Sequence, residues 1–542
     1  MIRVSPVVLF CAVLVMVLPF LDLFTGSHKF LGFDDAINII NNDRIHSLSW
    51  DNIVWMFTSD KLGVYEPLSW LLKATVIEIF GIAPTTIHIT SVFVHVLVSL
   101  MFYRCAVIIL QQLFPTKDPA HIKYACLLLA VLFAIHPLRA EVVAWASGQS
   151  YAVGALLLLC SLYMYLRYCQ EQVEGRRGYV FLAISAFCYL GGIFGKSAMV
   201  MLPLWLLLID WFVYSRRQLP RIIIEKIPFA AIALGTVVLV ALVNEQAMGN
   251  NHVILSWPEK FGRAVLAVFL YPLQSLLPFN LTPSLAVPKW GIAITDPAPF
   301  AGLLILLAIC YRSIKLLKQN CWPLVLLVAY IGFLLPVLGF VQHGNPILAA
   351  DRYAYVSTMP FYLAVAGLVL TSPTLSSPTR ALKFAMFSFF GILLWLSVHQ
   401  VRYWANDIKL WARAIAIQPY NSFALNNLGF NYWVKEDYET ARLYLERAHS
   451  FAPANRFPMI NLGVTYYELN RCDLAVEHYL RAAEQHHARS DGLYNNLGNC
   501  YIRLKRYKDA ENAFKKAVKL NPSHPKAVKS LARVQKRLNS DR

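Results

Sequence analysis

Four short stretches of this chain carry residue types suited to chemistry, and each lies beside an apolar run. Phe33-Asp34-Asp35 sets two adjacent carboxylates among Leu31, Phe33, Ile37 and Ile39. Carboxylates are costly to desolvate, so a pair held among apolar neighbours suits a general base or a metal ligand. The competing reading is that Asp34 or Asp35 caps a short interfacial helix beginning at Ala36. In Ile135-His136-Pro137-Leu138-Arg139-Ala140-Glu141 the His precedes a proline and is expected to be extended. Arg139 suits either a phosphate contact or snorkelling, and Glu141 suits accepting a hydrogen bond or a proton; a plain structural turn accounts for the same residues. Gly195-Lys196-Ser197 resembles the tail of a phosphate loop, but the upstream GxxxxG is missing, so a nucleotide is not expected and an interfacial anchor is the alternative. Ala350-Asp351-Arg352-Tyr353 holds an Arg beside an acid, as in a clamp for a lipid phosphate or in a surface ion pair within an aromatic belt.

The elements that must position these residues follow from composition. The chain is 57% hydrophobic and 15% charged, whereas soluble domains carry about 25% charged residues. Most of it therefore belongs in lipid. The net charge of +18 fits Lys and Arg gathered in cytoplasmic loops better than it fits nucleic-acid binding. Ten Cys are scattered without a CxxC pair or metal-ligand spacing and read as small buried hydrophobes.

Residues 4–24 read as a retained signal anchor. Ten further runs, near 85–111, 123–136, 148–167, 179–194, 198–214, 228–244, 298–311, 322–341, 355–371 and 382–398, bring the expectation to about eleven crossings. Lys117 and Lys123; Arg167, Arg176 and Arg177; Arg216, Arg217, Arg221 and Lys226; Arg312, Lys315 and Lys318; and Arg380 and Lys383 mark five cytoplasmic loops. They alternate with a cytoplasmic N-terminus only if the Pro-broken run 261–278 is re-entrant or interfacial. On that count 25–84, 136–147, 195–197, 342–354 and everything after His399 lie outside the cytoplasm, and all four candidate stretches fall on one side.

After about residue 400 the pattern changes. Leu428-Gly429, Leu462-Gly463 and Leu497-Gly498 recur at 34 and 35 residues, as do Ala414, Ala448, Ala482 and Ala517. This is the helix-turn-helix signature of tetratricopeptide repeats (TPRs). The expected organisation is a transmembrane domain over 1–400 and an extracytoplasmic solenoid over 401–542, made of a half-repeat, three full repeats and a capping helix. Such solenoids offer a groove for a polypeptide.

FDD with a downstream NND, then YEPLSW, HPLRAEVVAW, GKSAMVMLPLWLLLIDW, AADRYAYVS and repeats beginning near LWARAIAIQP together resemble the transmembrane-and-TPR protein O-mannosyltransferases, a GT-C glycosyltransferase family, with local wording closer to its bacterial members. The resemblance runs in order along nearly the whole chain. It departs after VAW, where this chain reads Ser147-Gly148-Gln149-Ser150. The resemblance implies an all-α, GT-C-like bundle followed by the solenoid, and inverting transfer of a sugar from a polyprenyl-phosphate donor to Ser or Thr of a protein acceptor outside the cytoplasm. It implies a catalytic acid at Asp34 or Asp35 and a donor-phosphate ligand at Arg352. His136, Arg139, Glu141, Lys196, Asp351 and Tyr353 are the further substrate-binding candidates. No nucleotide or haem motif is present, a divalent metal is compatible with the acids, and the expected partners are the lipid donor, a polypeptide and the membrane, not nucleic acid. The expected location is a bacterial inner membrane with periplasmic repeats, or the endoplasmic reticulum with lumenal ones. The alternatives are a non-catalytic membrane-anchored scaffold, and a GT-C enzyme acting on a glycan or lipid.

Overall fold

The computed structural model describes residues 4–61, 63–248, 255–288, 291–315, 321–340, 347–372, 379–453, 455–485 and 490–540. Lys318 and the first part of the expected loop 342–354 lie outside the described residues. The protein is an integral membrane protein of the all-α class, and its described residues form two compact units, with the chain passing from one to the other between Asn406 and Asp407.

In the first unit six helices are long and apolar enough to cross a bilayer: Pro6–Phe24, Pro84–Leu113, Gln149–Val173, Leu219–Leu242, Pro297–Lys315 and Arg380–Tyr403. Their starts follow capping chemistry. Ser5 accepts the Val8 N–H ahead of Pro6, and Thr379 accepts the Leu382 N–H. Two bent pairs pass the same test together, Pro119–Ile135 with Pro137–Ala144 (59°) and Asp351–Ser357 with Met359–Thr371 (54°). The first breaks at a proline, which removes a helical donor and disfavours helical geometry at His136. With the shorter apolar helices Tyr179–Gly195, Ser197–Val213 and Trp322–Val337, every expected run falls on a helix. Trp257–Leu276, the ambiguous run, is a 20-residue helix with Pro272 inside it and Arg263 buried; it is not among the apolar spanning helices.

Side-chain size sets the closest crossing. Helices Gln149–Val173 and Tyr179–Gly195 meet through Gly154, Gly192 and Gly195; a Cβ on Gly195 would lie 2.7 Å from the Gly154 nitrogen. That approach brings Lys196, the next residue, against the start of Gln149–Val173.

The second unit is a helical solenoid. After Asp407–Ile417 come three helix pairs, Ser422–Val434 with Tyr438–Phe451, Arg456–Glu468 with Cys472–Gln485, and Asp491–Arg503 with Tyr507–Leu520, and then Pro525–Ser540. A Cβ on Gly429, Gly463 or Gly498 would come within 2.7, 2.6 and 2.6 Å of Leu445, Tyr479 and Phe514. The repeating glycine is the position where the two helices of one repeat touch.

Candidate active site

The polar residues of the first unit divide into those that hold the fold and those whose chemistry stays available. Asp35 belongs to the first kind. Its Oδ2 accepts the Leu31 N–H at 3.0 Å, and its Oδ1 accepts both the Ser147 N–H at 2.9 Å and the Ser147 hydroxyl at 2.6 Å. Burial pushes its carboxyl up to about 6, against the lowering effect of those hydrogen bonds. It makes no side-chain cap to the helical turn Ala36–Ile40, so it acts as a clamp between distant segments, neither the helix cap nor the accessible base weighed from the sequence.

Asp34, one residue earlier, differs. Its backbone carbonyl accepts the Ile37 and Asn38 N–H groups. No described residue hydrogen-bonds its carboxylate. Burial raises its pKa, Arg352 and Lys196 oppose the rise, and Glu66 adds to it. An unbonded carboxylate in the electrostatic reach of two cations is suited to take a proton.

Each of those cations is held by an acid. Lys196 Nζ lies 2.9 Å from Glu66 Oε2 and 5.0 Å above the Tyr151 ring. Arg352 Nη1 lies 2.5 Å from Glu141 Oε1, while the Arg352 N–H donates to Glu141 Oε2 at 2.6 Å. The guanidinium also faces the rings of Tyr353 and Trp145, at 4.9 and 5.7 Å. Trp145 in turn stacks on Phe33 at 5.3 Å and on Trp404 at 6.1 Å. Asp34 thus feels both Lys196 and Arg352, and aromatic rings flank the two cations. Asp351 is buried next to them, and its N–H donates to Glu141.

Two candidates stand apart. Arg139 is fully buried and donates to the Ala354 carbonyl at 2.9 Å, the Tyr355 carbonyl at 3.3 Å and the Thr358 hydroxyl at 2.9 Å, with the Phe133 ring 4.4 Å away. It ties one bent pair to the other and offers no face to a phosphate. His136 accepts the Leu138 N–H at 3.2 Å through Nδ1, and its Nε2 lies 3.2 Å from the Ser275 carbonyl. It is a buried turn residue. Tyr151 and Trp145 are site residues that sequence reasoning did not single out; Glu66, within YEPLSW, and Ser147, after VAW, stood in motifs of the sequence without an assigned role. Among the described residues no group of three His, Cys, Asp or Glu could hold a metal ion.

A membrane bundle carrying a cluster of acids and cations, followed by a TPR solenoid, defines the class. The tetratricopeptide repeat model matches residues 493–524. The chain is 21% identical to human "Protein O-mannosyl-transferase TMTC3", over 94% of this chain and 60% of that protein. It is 24% identical to human "Protein O-mannosyl-transferase TMTC2", over 35% of this chain and 23% of that one. An Archaeoglobus fulgidus oligosaccharyltransferase structure is similar at 16% identity and a TM-score of 0.39, covering 80% of this chain and 58% of that chain. Over 94% of its length this chain is similar to the protein named TMTC3, and it spans 60% of the length of that relative.

Proposed function

We propose that this protein is an inverting GT-C glycosyltransferase that moves a sugar from a polyprenyl-phosphate donor to Ser or Thr hydroxyls of proteins outside the cytoplasm, with its TPR unit binding the acceptor or a partner. The observation that carries the reading is Asp34: a carboxylate that no described residue hydrogen-bonds, with a raised pKa, in the electrostatic reach of both Lys196 and Arg352. The name of the relatives supports sugar transfer to protein.

In this reading Asp34 accepts the proton of the acceptor hydroxyl as its oxygen bonds to the anomeric carbon. The bond from that carbon to the donor phosphate breaks, and the phosphate leaves with the electron pair. Single displacement inverts the carbon and needs one carboxylate, not the two of retaining glycosidases. Lys196 and Arg352 face the charge that develops on the leaving phosphate, where fixed cations in a water-poor site act most strongly. Glu66 and Glu141 hold those cations in place before the donor arrives. Asp35, Arg139 and His136 keep the segments around them in register. The donor's polyprenyl tail accounts for a reaction centre built into a membrane domain.

The deciding experiment offers purified protein a polyprenyl-phosphate mannose and a Ser/Thr-containing acceptor peptide, beside Asp34→Asn. Transfer by the parent and not by the variant is expected. Transfer at the parent rate by Asp34→Asn overturns the assignment, and its absence from both favours a membrane-anchored scaffold.

A further inference from the structure

The positive charge of the TPR unit is confined to one end of its sequence. Residues 408–502 carry nine Lys and Arg and nine Asp and Glu, whereas residues 503–542 carry 13 and three. Within that stretch the helix Pro525–Ser540 buries Ala527 and Val534 and exposes Lys526, Lys529, Arg533 and Lys536. Spacings of three, four and three residues put those four cations on one helical face. None of them enters an ion pair among the described residues. The nearby acids are engaged elsewhere: Glu511 with Lys515 at 2.7 Å and with Gln535 at 3.2 Å, and Asp509 with Arg506 at 2.7 Å.

We propose that this face is a docking surface for an acidic polypeptide segment. Lys526, at one end of the stripe, also lines a cavity of about 420 Å³ together with Asn461, Asn496, Asn499 and Trp433. Carboxamides both donate and accept, as a peptide main chain does, so the stripe runs into a wall suited to polypeptide. A lipid surface fits less well. Helices that lie in a bilayer interface present Trp, Phe or Leu beside their cations, and the exposed large hydrophobics of 503–540 are only Leu504 and Val528. The inference rests on the reading that this unit recruits a polypeptide, but not on the chemistry at Asp34.

The test uses the full chain in nanodiscs of neutral lipid and a fluorescent peptide of alternating Glu and Ser, with a Gln-for-Glu version as its control. The parent is expected to prefer the Glu peptide, and Lys529→Glu with Arg533→Glu to weaken its binding about tenfold or more, whereas the charge-matched Lys435→Glu with Arg471→Glu weakens it less than about twofold. Equal weakening by both doubles means diffuse attraction and overturns the surface. Equal binding of both peptides by the parent and by the Lys529/Arg533 double also overturns it, while leaving polypeptide recruitment standing. No binding of either peptide overturns recruitment with it. Shielding of Lys529 and Lys536 from amine labelling by anionic-lipid nanodiscs, and not by the Glu peptide, assigns the face to membrane instead. Sugar transfer enters none of these readouts.

Discussion

Ser147 donates two hydrogen bonds to one oxygen of Asp35, from its backbone N–H at 2.9 Å and from its hydroxyl at 2.6 Å. The partners are 112 residues apart in sequence, so this contact fixes the first loop after residues 4–24 onto the turn ahead of helix Gln149–Val173. Asp35 is immobilised in this way, whereas no described residue hydrogen-bonds the carboxylate of its neighbour Asp34, on which Lys196 and Arg352 act electrostatically.

Removing half of that clamp should loosen the loop without touching the proposed base. Ser147→Ala deletes one hydrogen bond to a carboxylate, a change of about 1.5–3 kcal/mol when the acid is ionised. A lower melting temperature in detergent is expected, and an unchanged one would mean that the loop is held elsewhere.

The pH dependence of stability follows from the sign of the Asp35 shift. Its folded pKa of about 6 lies above its ordinary value of 3.8, so the folded state holds the proton more tightly. This contribution to stability is fully present below the ordinary value and is lost as the pH rises through the folded one. Between pH 7 and pH 5 the parent should gain about 1.4 kcal/mol relative to Asp35→Asn. A parent-to-variant difference that does not change with pH contradicts the assignment.

Asp34 gives a prediction about rate. A base works only when ionised, and burial raises the Asp34 pKa, so the acidic limb of the rate profile should lie above that of an ordinary carboxylate. Lys196→Gln removes a lowering influence and should move that limb higher still. Asp34→Asn should cost a factor of about 100 to 10,000 in rate with its melting temperature unchanged; loss of fold in that variant would instead make Asp34 structural.

What could be read from the sequence was what is local along it. Apolar length located the six long apolar helices, the two bent pairs and the three shorter apolar helices, and the recurring Leu-Gly pairs located the repeats, because both patterns lie within one helix or one repeat period. The acidic pair was visible as a candidate, but the division of labour inside it was not: it depends on Ser147, whose role needs a contact across the fold. The same holds for Lys196 with Glu66 and for Arg352 with Glu141, separated by 130 and 211 residues. Arg139 shows the opposite limit. An Arg after His-Pro reads as a phosphate ligand until its donors are found on the carbonyls of Ala354 and Tyr355.

Topology can be tested without any assay of chemistry. The loop charges predict that the residues after His399 lie outside the cytoplasm. A reporter active only in the periplasm, fused after Arg542 in a bacterial host, should therefore be active; a reporter active only in the cytoplasm at that position would reverse the orientation.

The final prediction separates the two cations. Arg352→Ala removes the guanidinium opposite Glu141, which is 1% exposed, and leaves it only backbone donors from residues 351 and 352. Breaking a buried pair from one side costs about 3–5 kcal/mol, so this variant should lose its fold along with any donor binding and cannot report on the phosphate by itself. Lys196 is the cleaner probe. Gln in its place keeps a donor for Glu66 Oε2 while removing the charge. Lys196→Gln should therefore raise the KM for the polyprenyl-phosphate donor with little change in melting temperature. Arg352→Lys keeps the charge opposite Glu141 but gives up the planar guanidinium, so it should stay folded while turning over more slowly. If Lys196→Gln binds the donor as the parent does and Arg352→Lys turns over at the parent rate, the phosphate is held by other residues and the site is misassigned.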